Sequence, residues 1–235
     1  MPDRFKSGEP TLSDQTQPID QACWVPYVLP FAVFMGLTAP ARYFPDEAHL
    51  LYVLKTFSVA GLLWFWRDRY AKDIAPGLDL AGYLAAAAAG LLVLPVWILP
   101  EAVFPKLGID TGFNPYAFGC PPSAVMLLVA VRLFGAVLVV PVMEELFWRS
   151  FLLRYLIHPR FYKVALGSFT WFSFSAVVIL FGLEHHRWIQ GMIAGVVYTL
   201  LVIRQKSLRG CIIAHGTTNF GLGIYVFATQ KWIFW

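Results

Sequence analysis

Residues 123–157, SAVMLLVAVRLFGAVLVVPVMEELFWRSFLLRYLI, decide how this chain is read. They form a nearly unbroken apolar run that nonetheless holds Glu144, Glu145 and Arg149. At ~1.5 Å per residue the run would make roughly 52 Å of straight helix, well beyond a hydrocarbon core of about 30 Å. A helix of this length must tilt, protrude or break, and Pro141 is the expected break. The same apolar character recurs on both sides, at 23–40, 49–66, 80–99, 164–183, 188–203 and 210–228. The sequence therefore predicts an all-α, polytopic transmembrane bundle of about seven spans, eight if the Pro- and Gly-rich stretch 100–122 hides another. That stretch reads as a connection or a re-entrant piece. Residues 1–22 read as a polar tail and 23–235 as the membrane domain.

Composition supports a lipid solvent. Of the 235 residues, 58% are hydrophobic and only 14% charged, too little polar surface to cover a globule. The net charge of +4 is spread in small clusters between apolar runs, where it meets lipid headgroups, so no nucleic-acid partner is expected. Lys and Arg gather in the tail and after the second, fourth and sixth runs. By the positive-inside rule this puts the N-terminus in the cytoplasm and the C-terminus outside. Cys23, Cys120 and Cys211 show no metal-ligand spacing and read as small buried hydrophobes.

Ionisable side chains at membrane depth are costly and are functional candidates by default. Glu145 and Arg149 are spaced i,i+4 and can pair on one helix face. Glu144, rotated by about 100°, points elsewhere. An unpaired carboxylate there suits a general base. In FGLEHHRW (181–188), Phe181 and His185 are also i,i+4, while Glu184 and His186 read as loop residues. In AHGTTN (214–219), His215 and Asn219 stack on one face and can converge on a single oxygen atom.

In order, E-E-x-x-x-R, F-x-x-x-H and H-x-x-x-N, each in its own apolar run, resemble the three motifs of the CAAX prenyl protease and bacteriocin-processing (CPBP, or Abi) family of intramembrane glutamic proteases. The resemblance covers 123–228, and the overall length is similar to that of bacterial CAAX-protease-related proteins linked with exosortase systems. It implies an intramembrane endopeptidase of the bacterial inner membrane, acting on a protein or peptide substrate, with a link to protein sorting. By motif position, Glu144 and His185 would activate the attacking water, and His215 and Asn219 would hold the oxyanion. Glu145 and Arg149 would orient the first pair. No cofactor is expected. Zinc on two His and a Glu is the less favoured account, since no H-E-x-x-H is present.

Two non-enzymatic readings stay open: a membrane scaffold or immunity-like protein of the same fold, and a transporter or haem-binding protein using His185 and His215. Serine and aspartyl proteolysis lack a G-x-S-x-G motif and paired intramembrane Asp residues. One expectation is strained. If the fifth helix began at Val164, His185 would lie about 33 Å from its start, against roughly 20 Å for Glu144 from Ile157 and about 9 Å for His215 from Arg209. Convergence requires that helix to tilt or to begin nearer Gly167 or Ser168.

Overall fold

The structure is a computed structural model that describes residues 23–108 and 112–235, so the polar tail read at 1–22 lies outside the described residues. Among the described residues eight helices carry the fold: α1 (Val25–Thr38), α2 (Ala48–Phe65), α3 (Arg67–Ile74), α4 (Leu80–Ile98), α5 (Pro122–Tyr155), α6 (Trp171–Glu184), α7 (Trp188–Gln205) and α8 (Leu208–Thr229). Of these, α2, α4, α5, α7 and α8 are long and apolar enough to cross a membrane, and α1 and α6 are shorter apolar helices. The seven expected runs thus appear as five full-length helices and two short ones. Large apolar side chains such as Trp64, Leu84, Leu92, Met126 and Trp171 cover the outside, as expected of a bundle whose solvent is lipid.

The helices run alternately up and down, so the bundle has two ends. One carries the turns at 39–47, 99–108 and 112–121 and the final 230–235, with the 185–187 turn set below them. The other carries α3, the 156–170 connection and the turn at Lys206. At that second end Arg154 pairs with Asp73 (2.7 Å), and Ser150 donates to the same carboxylate (2.6 Å). Arg154, near the end of the fourth apolar run, is 2% exposed. It is a buried tie between α5 and α3. Burial also pushes the Tyr70 phenol above its ordinary pKa, and its hydroxyl donates to Pro26 O at 2.6 Å.

Pro141 does not break α5. Immediately before it, over Gly135–Val139, the helix widens so that Val140 N–H bonds five residues back, to Gly135 O. The next donor in that register would be Pro141, which has no N–H. The extra residue of a π-type turn accommodates the ring within a continuous helix. A second widened stretch, Leu146–Leu152, follows the glutamate pair.

α6 begins at Trp171. Thr170 Oγ1 accepts from Ser173 N at 3.1 Å, and Ser173 Oγ lies 3.4 Å from Thr170 N, a reciprocal cap. At 14 residues the helix is only about 21 Å long, so its C-terminal end stops within the bundle. The late start removes the depth conflict at His185. Residues 99–108 then fold over the short α6–α7 hairpin: Glu101 pairs with Arg187 (2.7 Å), and Leu107 N–H donates to His186 O (2.9 Å).

Small residues bring the helices close. A Cβ on Gly90 of α4 would sit 2.3 Å from Ala214 O of α8, and one on Gly182 of α6 would sit 2.7 Å from Trp188 O. Thr218 Oγ1 reaches Gly90 O at 2.8 Å across the α4–α8 crossing. Without a hydrophobic drive between helices in lipid, such backbone approach and interhelical hydrogen bonding hold the bundle.

Candidate active site

α5 presents Glu144 and Glu145 between its two widened stretches, and both are buried, at 4% and 0% exposure. Their surroundings differ. Glu145 Oε1 receives Arg149 Nη1 at 3.2 Å and lies 3.0 Å from His215 Nδ1. Arg149 is further held by Gly195 O (3.5 Å) and by the Phe181 ring, 4.2 Å from its guanidinium carbon. Among the described residues Glu144 has no ion-pair partner; its Oε2, like Glu145 Oε2, is buried without a hydrogen bond. One carboxylate of the pair is thus held by an arginine, at the i,i+4 spacing read from the sequence, and the other has no ion-pair partner among the described residues.

His185 follows the last turn of α6. Its Nδ1 lies 2.7 Å from Phe181 O. A carbonyl only accepts, so Nδ1 carries the proton and Nε2 keeps a lone pair for a water. Trp97 packs edge-on to the ring at 5.3 Å, fixing its plane.

His215 and Asn219 come from α8. Tyr198 stacks on the His215 ring at 5.1 Å and donates its hydroxyl to Thr218 (2.8 Å). Asn219 Nδ2 donates one hydrogen to Ala136 O at 2.8 Å, which leaves the other available.

Glu144, His185, His215 and Asn219 all line one cavity of about 380 Å³. Glu145 and Arg149 stand behind its wall. The cavity shares Thr38, Arg132, Glu184, His185, His186 and Trp235 with a second one of about 430 Å³, which reaches Ala41, Ala48, Leu107 and Gly112. This second cavity lies toward the end of the bundle that carries 99–108 and 112–121.

Two lining residues escaped the sequence reading. Glu184, taken as a loop residue, ends α6 and accepts from Trp148 Nε1 at 3.0 Å. The available signal was its i,i+3 spacing from Phe181, which puts it on the same helix face. Lys55 was passed over inside an apolar run where any lysine is conspicuous. No group of three or more His, Cys, Asp or Glu side chains among the described residues is placed to hold a metal ion.

The fold and this cavity define a polytopic helical membrane protein with a polar site enclosed within its bundle. Residues 126–221 match the family model described as type II CAAX prenyl endopeptidase Rce1-like. The match agrees with the resemblance read from the three motifs, which all lie inside the matched segment. No curated protein and no solved structure matches the chain.

Proposed function

We propose that the chain is an intramembrane endopeptidase that hydrolyses a peptide bond of a membrane-associated protein or peptide without a covalent intermediate. The observation that carries this reading is the convergence of Glu144, His185, His215 and Asn219, from three helices, on one cavity, with Glu144 alone of the glutamate pair left unpaired.

In the proposed reaction a water bound between Glu144 and His185 Nε2 attacks the scissile carbonyl carbon, and Glu144 takes the proton it sheds. The oxyanion so formed accepts from the second hydrogen of Asn219 Nδ2 and from His215 Nε2. For Nε2 to donate while Nδ1 donates to Glu145, the ring must carry both protons. Glu145 Oε1 is the anion against which that cation forms. Collapse of the intermediate breaks the C–N bond, and the proton on Glu144 passes to the leaving amine. Glu145 and Arg149 act as positioning residues. No metal and no cofactor takes part in this scheme.

The proposal extends to location: a bacterial inner membrane, with the N-terminus cytoplasmic and a link to a protein-sorting system. The test of activity is co-expression with a candidate membrane-anchored precursor. Glu144→Ala and His215→Ala chains, present in membranes at wild-type levels, should each abolish processing. Undiminished cleavage by both overturns the reading and favours a scaffold of the same fold.

A further inference from the structure

Two cations line the route into the site. Lys55 of α2 is 8% exposed. Its Nζ sits 3.0 Å from Thr38 Oγ1 and 4.3 and 4.9 Å from the ring centroids of Phe34 and Tyr52. Arg132 of α5 places its guanidinium carbon 4.4 Å from the same Tyr52 ring and 4.9 Å from that of Phe113. Its Nε is buried with no hydrogen-bond partner.

Arg132 as a whole is part-buried, and the buried cations other than Lys55 each have a carboxylate: Arg149 has Glu145, Arg154 has Asp73, and Arg187 has Glu101. Lys55 and Arg132 form no ion pair among the described residues. Glu184, the one carboxylate side chain lining the outer cavity, is held from Trp148 and pairs with neither. Aromatic faces attract a cation but supply no net negative charge to balance one inside a membrane. Two unbalanced charges over one ring, in a cavity continuous with the Glu144 site, are arranged for an anion that arrives from outside the protein.

We propose that Lys55 and Arg132 form a subsite for a carboxylate of the peptide that enters the cavity. A guanidinium and an ammonium on one aromatic ring present several N–H donors to such a group, in a desolvated setting where charged hydrogen bonds are strong. Arg132 and Glu144 lie on one helix, roughly 18 Å apart along its axis, a span that an extended chain of about five residues covers. A carboxylate bound here therefore holds the peptide with its backbone running toward Glu144 and His185. The identity of the ligand as a peptide rests on the endopeptidase reading, whereas the anion site rests on the two cations alone.

The experiment uses the full chain carrying Glu144→Gln, purified in detergent, and three fluorescent apolar pentapeptides: one with a free C-terminal carboxylate, its C-terminal amide, and that amide with an internal Glu. Binding is read by anisotropy. The free acid should bind at least about tenfold tighter than the amide, and Lys55→Gln and Arg132→Gln should each remove that preference. Tight binding of the Glu-containing amide identifies a side-chain carboxylate as the recognised group, and weak binding identifies the terminal one. Equal binding of acid and both amides, no binding of any peptide, or an acid preference that survives both substitutions overturns the proposal. If a Gln variant fails to fold, the acid-to-amide ratio of the parent decides alone, and Arg132→Lys should keep part of that ratio. Because the parent does not turn over, a wild-type chain that cleaves nothing would count against the endopeptidase reading while leaving the subsite standing.

Discussion

Asn219 Nδ2 donates at 2.8 Å to the carbonyl of Ala136, an oxygen whose partner in the widened turn of α5 would have been Pro141. The proline that removes a helical hydrogen bond and the asparagine that replaces it thus join α5 to α8 at the depth of the site. Asn219 has two separable roles, one in packing and one toward the oxyanion.

Asn219→Ala should therefore lose activity and also cost about 1 kcal/mol of stability, the net worth of a hydrogen bond to a part-buried carbonyl. Pro141→Ala restores a backbone N–H beside that carbonyl. In the double variant the stability loss should shrink while the activity loss remains. Thermal unfolding in detergent, run as a double-mutant cycle beside a cleavage assay, separates the two. Parallel recovery of both would mean that Asn219 acts only through packing.

The adjacent glutamates should respond in opposite ways. Glu144 forms no ion pair, so Glu144→Gln should abolish cleavage and leave the unfolding temperature unchanged or raised. Glu145 balances Arg149, so Glu145→Gln strands a fully buried guanidinium and should cost about 3–5 kcal/mol. Arg149→Lys should not restore wild-type stability, because one ammonium cannot reach Glu145 and Gly195 O while lying flat on Phe181. Equal destabilisation by the two Glu→Gln changes would contradict this division.

How far the sequence reveals all this depends on whether a feature is local. The Glu145–Arg149 pair follows from i,i+4 spacing alone and is found as expected. So is the apolar character of each helix, because lipid exposure acts on every residue of a span. The start of α6 lies several residues after Val164, the start of the apolar run, because that run continues through Val164–Leu166 and Phe169 with no charged residue to mark the boundary. The hydrogen bonds of Thr170 and Ser173 end the connection there. Helix α3 is too polar to register as a span and was missed. The Asp73–Arg154 pair joins residues 81 apart in sequence, and the second partner of Glu145, His215, is 70 away. Such contacts depend on how helices pack, which composition and periodicity do not encode.

The α4–α8 crossing gives a prediction about backbone approach. A Cβ on Gly90 would lie 2.3 Å from Ala214 O and 2.8 Å from Thr217 Cβ, so Gly90→Ala must push α8 away from α4. His215 lies next to Ala214 and moves with it. We expect a loss of at least about 1–3 kcal/mol, together with reduced cleavage. Gly61→Ala is the control: nothing lies within 4 Å of its Cβ position, and a helical Gly→Ala there should be neutral or stabilising by up to about 1 kcal/mol. Matching effects at the two positions, read by thermal unfolding, would argue against the close crossing.

The cavity also turns the expected orientation into a statement about where substrate and water enter. It opens toward the end of the bundle bearing 39–47, 99–108 and 112–121, the end opposite α3. If the N-terminus is cytoplasmic, that opening faces the outside of the cell, and so would the Lys55–Arg132 subsite. Tyr43 is 81% exposed at the opening end, and Lys72 is exposed on α3 at the other. In a chain with Cys23, Cys120 and Cys211 replaced, a membrane-impermeant maleimide added to intact cells should label Tyr43→Cys and spare Lys72→Cys until the cells are lysed. The reverse pattern would invert the chain, place the cavity mouth in the cytoplasm, and require a substrate delivered from that side.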